Sequence, residues 1–211
     1  MNKRFSSHLF WGSFSPLSSF IGFCLIMLAS VRLSYAIVCA GAILWVYGVN
    51  SIIFSNLKKI LPKNGKMLIM LFFSAFLCGI YILVLSLLNP LLLFSMSYIL
   101  MLIPPCFLGT GLLENSDTVS PLDVFSRAIK EAILLSFIII VMALIRESLG
   151  MGSISFPGGI FGIFQLNEEA EAFVPLRLLS ISSGAFLLMG YGIAVYRYLR
   201  AKNNMIPKDD A

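Results

Sequence analysis

Six apolar segments succeed one another along the chain, each near the roughly 20 residues that a helix needs to cross a bilayer, with polar or charged punctuation between them. They predict an all-α membrane protein. The first segment, about Pro16 to Val31, is short and rich in Ser and Gly, which predicts a broken span. The second runs from about Ser34 to Leu57, and Lys58, Lys59, Lys63 and Lys66 close it in a loop holding Pro62 and Gly65. The third covers about Met67 to Leu88, after which Asn89-Pro90 turns the chain into the fourth. Glu114 to Pro121 is polar. The fifth segment, Val124 to Leu149, opens amphipathically: the spacing of Arg127, Lys130 and Glu131 predicts a helix that enters from the membrane interface. Gly150 to Gly162, with Pro157, predicts a glycine-rich loop, and Asn167 to Glu171 is acidic. The sixth segment, about Phe173 to Leu199, runs into a basic tail.

The fourth segment carries the sharpest interruption. Met101 to Gly111 reads M-L-I-P-P-C-F-L-G-T-G, which puts two prolines and two glycines at membrane depth. Pro104 and Pro105 withdraw two N–H donors and clash with the preceding turn, while Gly109 and Gly111 permit dihedrals that other residues resist. A helix break is predicted here. Irregular backbone at that depth survives only inside protein or along a cavity, and broken membrane helices recur at ion and cofactor sites. Cys106 stands in the break.

Composition agrees with the membrane setting. Of 211 residues 59% are hydrophobic and 12% charged, against about 25% charged in an ordinary soluble domain. The whole of 1–211 is therefore read as a single integral membrane domain. The net charge of +5 lies in short loops and tails rather than in one basic stripe, which points to membrane orientation and away from nucleic acid. With six spans, Lys3, Arg4, the four lysines of the second loop, Arg197, Arg200, Lys202 and Lys208 share one side. The positive-inside rule then predicts a multi-pass protein with both termini in the cytoplasm. Met1 to Ser15 lacks a sustained apolar core and a small-residue cleavage site, so no cleavable signal is expected.

Four cysteines, Cys24, Cys39, Cys78 and Cys106, lie in apolar segments and form no C-x-x-C pair, which argues against a disulfide framework or a zinc knuckle. The halves of the chain echo each other. Ser15-Pro16 leads to Cys24 in the first span and Asn89-Pro90 leads to Cys106 in the fourth, and two plainer spans follow each. That predicts repeat 1 over about 15–88, repeat 2 over about 89–199 and a cytoplasmic tail over 200–211. A repeat with an odd number of spans inserts in the opposite sense from its copy, so the expectation is an inverted three-plus-three repeat with the first and fourth helices broken. Cys24 and Cys106 would then face each other, either as ligands or as the small buried hydrophobes that free cysteines usually are.

A family resemblance runs through the same residues. The basic, aromatic lead and Ser15-Pro16-Leu17 followed by Gly22-Phe23-Cys24 resemble the Asn-Pro and Gly-Leu-Cys opening of the Rnf/Nqr membrane subunits. Ile145-Arg146-Glu147-Ser148-Leu149-Gly150-Met151-Gly152-Ser153-Ile154 is similar to that family's Ile-Arg-Glu-x-Leu-Gly-x-Gly-Thr-Leu segment, and Gly184-Ala185-Phe186 to its Pro-Gly-Ala-Phe. Within that family the chain resembles the D/E-type subunits of the sodium-pumping NADH:quinone reductase and of the Rnf ferredoxin:NAD complex. The resemblance implies a non-autonomous subunit of a redox-driven, ion-translocating complex in the bacterial inner membrane. It also implies a homologous six-helix partner of opposite topology, other complex subunits, and a [2Fe-2S] cluster shared between the two homologues. Cys24 and Cys106 would be this chain's ligands, while Cys39 and Cys78 match no motif. Pro104-Pro105 stands where the family commonly has Thr-Asn, and Leu25 where Pro usually follows the first cysteine. The other reading of an inverted repeat with two broken helices is a cofactor-free transporter or channel subunit. The coupling ion is not written in the sequence.

Arg146-Glu147 is expected either to mark a subunit contact or coupling gate, as ionisable residues near membrane depth often do, or to snorkel at the interface. Arg177 and His8 are expected near the interface as well. Gly158-Gly159 and Gly162 lack the setting of a nucleotide fingerprint, and Gly184, Gly190 and Gly192 are expected to allow close helix packing.

Overall fold

The computed structural model describes residues 20–57, 65–108, 121–150, 154–158, 162–166 and 181–205. These form α1 (Phe20–Ala29), α2 (Leu33–Leu57), α3 (Lys66–Leu88), α4 (Pro90–Leu100), α5 (Ile103–Leu108), α6 (Pro121–Gly150), a hairpin of β1 (Ile154–Gly158) and β2 (Gly162–Leu166), and α7 (Ser182–Met205). Four stretches are long and apolar enough to cross a membrane: Leu33–Asn56, Met67–Leu88, Pro90–Leu108 and Leu122–Gly150. The protein is a multi-pass, mostly helical membrane protein.

The central pair is α2 and α6, which run antiparallel. Leu33 N–H donates to Glu147 Oε2 near one end, and farther along the Ser136 hydroxyl donates to the Ala40 carbonyl at 3.4 Å. Ala36, Ala40 and Ala42 on α2 and Ala128, Ala132 and Ala143 on α6 are all buried. Without a hydrophobic driving force between helices in lipid, small residues that let backbones approach are the main way to gain packing. α3 packs on the other side of α2 through a close approach: Tyr81 donates its hydroxyl to the Val38 carbonyl at 2.9 Å and lies 3.0 Å from where a Cβ on Gly41 would stand. The outer face of α3 shows Leu68, Phe72, Phe76, Leu83 and Leu87, a surface suited to hydrocarbon.

At the end where α2 begins, the stretch read as a glycine-rich loop contains an antiparallel hairpin in which Ile154 faces Leu166 and Gly158 faces Gly162. Two strands alone are marginal, and this pair is anchored. Ser155 is buried, accepts from Ser34 N–H at 3.4 Å and donates its hydroxyl to Ser34 Oγ at 3.3 Å. The hairpin therefore serves as a cap for the first turn of α2, where helix N–H groups have no partner within the helix. Of the sixth expected segment, about Phe173 to Leu199, the described part is a shorter apolar helix. α7 starts at Ser182 after a bend at Ile181, its apolar portion is Ser183–Val195, and 167–180 lie outside the described residues. A Cβ on Gly190 or Gly192 would meet nothing within 4 Å, so neither glycine is spent on a helix contact among the described residues.

Candidate functional site

The predicted break in the fourth span exists, and its cause is visible. Pro104 and Pro105 have no N–H to give, which frees the carbonyls four residues earlier, at Leu100 and Met101. The helix stops there: α4 ends at Leu100, and α5 resumes at Ile103 with both prolines in its first turn, where a missing N–H costs least. The freed Leu100 carbonyl accepts from Cys78 Sγ at 3.2 Å. Cys78, which matches no motif, thus caps the break. Cys78→Val should destabilise the protein by about 1–3 kcal/mol by leaving that carbonyl buried without a partner. Cys78→Ser, which keeps a donor, should cost less, and thermal unfolding in detergent reads the difference.

Cys106 lies in α5, fully buried, and its sulfur receives a hydrogen bond from the Tyr47 hydroxyl of α2 at 3.6 Å. Tyr47 is in turn held edge-on against Phe107, with ring centroids 5.1 Å apart. Such edge-to-face pairs fix ring orientation, so the hydroxyl is aimed at the sulfur by packing. Cys24 is partly exposed on α1, next to Leu25 and Ile26, which are fully buried. α1 packs directly against α5, so the two helices carrying the sequence-selected cysteines are neighbours. On its other flank Phe23 of α1 meets Phe186 of α7, centroids 5.7 Å apart. Cys39 is buried within electrostatic range of Cys78 and Cys106. Among the described residues no three His, Cys, Asp or Glu side chains gather closely enough to hold a metal ion. Gly109 and Gly111, selected with the break, lie outside the described residues, as do His8 and Arg177.

Arg146 and Glu147 do not snorkel: they are 1% and 2% exposed. Arg146 donates to the Met27 carbonyl at 3.1 Å, to Ser30 Oγ at 2.8 Å and to the Ile181 carbonyl at 3.5 Å, while Glu147 accepts from Leu33 N–H at 2.6 Å. One cation therefore sits at the C-terminal carbonyls of α1 and one anion at the N-terminus of α2, each matching the sign of the helix dipole it faces. Adjacent residues on one helix thus close the corner between α1 and α2 and tie in the start of α7.

One further group lies where the sequence does not lead. The neighbours Arg127 and Lys130 suggest an interfacial Glu131, yet its Oε2 is buried without a hydrogen-bond partner. Asn50 on α2 is fully buried with neither Oδ1 nor Nδ2 partnered. The only signal in the sequence is the presence of an amide and a carboxyl inside otherwise apolar spans.

The family profile described as "Rnf-Nqr subunit, membrane protein" matches residues 3–193. The chain is 22% identical over 210 residues to the D-type subunit of the Na(+)-translocating NADH-quinone reductase of Chlamydia felis, covering 95% of this chain and 97% of that one. It is also 22% identical over 213 residues to the corresponding protein of Chlamydia caviae, covering 95% and 98%, and 21% identical over 197 residues to that of Chlamydia trachomatis serovar D, covering 90% and 91%. The chain spans these relatives nearly end to end, and the profile runs from before the first described helix into α7. On that match the protein belongs to the Rnf-Nqr family of membrane subunits.

Proposed function

We propose that this chain is a membrane subunit of an Rnf/Nqr-type ion-translocating electron-transport complex, sharing a [2Fe-2S] cluster with a homologous six-helix partner of opposite topology. It would sit in the bacterial inner membrane with both termini in the cytoplasm, beside the other subunits of that complex. Its own spans would be the inverted three-plus-three repeat, with α1 and the α4–α5 pair as the broken first and fourth helices. The central α2–α6 pairing supports this arrangement, since these are the second helix of each repeat and pack against each other antiparallel.

The observation that carries the reading is the placement of Cys106: buried in a broken membrane helix, hydrogen-bonded at sulfur, and on a helix packed against the one that bears Cys24. A [2Fe-2S] centre normally takes four thiolates. This chain offers two cysteines at the matching positions, so the remaining sulfurs would come from the partner. Cys24 and Cys106 would hold this chain's share of the cluster, which when bound supplies one-electron chemistry. Tyr47 would donate to the ligating sulfur, a contact that shifts charge density off it and favours the reduced form. Cys106 is fully buried, beside Phe107, while Cys24 stays partly exposed next to the buried Leu25 and Ile26.

The test is an electron paramagnetic resonance spectrum of the reduced complex, purified with its encoded neighbours and fully loaded with its other cofactors. A [2Fe-2S] signal beyond those of the other subunits is the expected result. Its absence would overturn the cluster and leave the cofactor-free transporter reading in its place.

A further inference from the structure

The first strand of the hairpin is built inside out. Ser155 is fully buried, while Ile154 and Phe156, on the opposite face of β1, are 36% and 42% exposed or close to it in the same strand. Successive side chains of a strand point to opposite faces, and in water a half-covered sheet turns its apolar face inward and its polar face to solvent. Here the order is reversed, as it is where lipid covers the outer face of a strand. Depth follows from the anchor. Ser155 is hydrogen-bonded to Ser34, which lies at the very start of the apolar span Leu33–Asn56. β1 packs against α2 and α6 and β2 against α4, so the hairpin lies across helix ends at one edge of the hydrocarbon layer. At that same edge Leu149 on α6, Leu87 and Leu88 on α3 and Leu91 on α4 are exposed. The outward face of β1 thus continues the lipid-facing surface of the bundle.

We propose that the β1–β2 hairpin lies in the interfacial layer of the bilayer, with Ile154 and Phe156 against the boundary between phospholipid headgroups and acyl chains. A two-stranded hairpin leaves the N–H and C=O groups of its outer edges without ladder partners, and such groups do not enter hydrocarbon unpaired. That stops the hairpin at the interface. Apolar and aromatic side chains on an element lying in that plane bury about 5–10 Å into the headgroup and acyl boundary, which is the position the Ser155 anchor gives to Ile154 and Phe156. A second protein is the competing occupant. The two partly covered side chains expose on the order of 150 Å², against about 800 Å² per partner in a stable protein interface, whereas lipid needs no matched surface. Lipid over this face also keeps water from the contact between Ser34 and Ser155, and a hydrogen bond is stronger in low dielectric. The cap on the first turn of α2 is thereby held by the bilayer as well as by the chain.

Photolabelling of the unaltered protein, purified with its encoded neighbours and reconstituted in phosphatidylcholine, tests this without any substitution. The probe is phosphatidylcholine with a diazirine on one acyl chain, placed either near the ester or at the chain end. Light converts the diazirine to a carbene that inserts into whatever it touches, and mass spectrometry of the digested chain locates the added lipid. The near-ester probe should label β1 at Ile154 or Phe156, and the chain-end probe should label it several-fold less. Phe76, exposed near the middle of the span Met67–Leu88, is the reference and should show the reverse order. A β1 strand left unlabelled by both probes while Phe76 is labelled would overturn the proposal, because water or another protein then covers that face. Stronger labelling of β1 by the chain-end probe would overturn it too, since the hairpin would then lie within the hydrocarbon. The labelling is read with or without iron in the complex, so its outcome is independent of the electron-carrier reading.

Discussion

Glu147→Ala should cost the protein about 3–5 kcal/mol, the range for breaking a buried charged arrangement by removing one member. The loss has two parts. Leu33 N–H, at the start of α2, is left without its acceptor. Arg146 keeps its charge in a site where it is 1% exposed, while the buried carboxylate next to it in the chain is gone. Arg146→Ala should be comparably severe, since Met27, Ser30 and Ile181 all lose a donor at once. The variant carrying both Arg146→Ala and Glu147→Ala should lose less than the sum of the singles, by about 0.5–3 kcal/mol, because neither buried charge is left without the other. Thermal unfolding of the four proteins in one detergent measures this. Equal additivity would show instead that each residue serves only its own hydrogen bonds.

That corner also shows where the chain was legible and where it was not. Spans set by unbroken apolar runs were readable nearly to the residue: α2 begins at Leu33 against an expected Ser34, and α3 at Lys66 against Met67. The break was legible too, because a proline's missing N–H is a local property. Its position lies upstream of the prolines, since the bond that a proline deletes belongs to the carbonyl four residues earlier. Contacts far apart in sequence carried no such signal. Arg146 reaches Met27, and Ser155 reaches Ser34, across more than a hundred residues, so interface decoration and buried latch look the same in one dimension. The hairpin was hidden for a related reason: five-residue strands with glycine and proline read as loop until something docks them. Glu131 escaped because charge spacing on a helix marks a polar face without saying whether water or protein covers it.

Under the proposed function, Cys106→Ser and Cys24→Ser should each abolish the [2Fe-2S] resonance of the complex, while Cys39→Ser should leave it intact. The contrast is demanding because Cys39 is as deeply buried as Cys106 and lies within its electrostatic reach. A generic disturbance of the core would therefore affect all three. Cys39 lies on α2, which continues unbroken through it, so serine should be tolerated there. Tyr47→Phe completes the series by keeping the ring that packs against Phe107 and removing only the hydroxyl aimed at Cys106. The signal should persist, with a reduction potential lower than in the parent, because a hydrogen bond to a ligating sulfur stabilises the more negative, reduced cluster. A resonance surviving in Cys106→Ser would place the iron elsewhere in the complex. An unchanged potential in Tyr47→Phe, with the resonance still lost in Cys106→Ser, would mean that the Tyr47 hydroxyl turns away from the sulfur once the metal is bound.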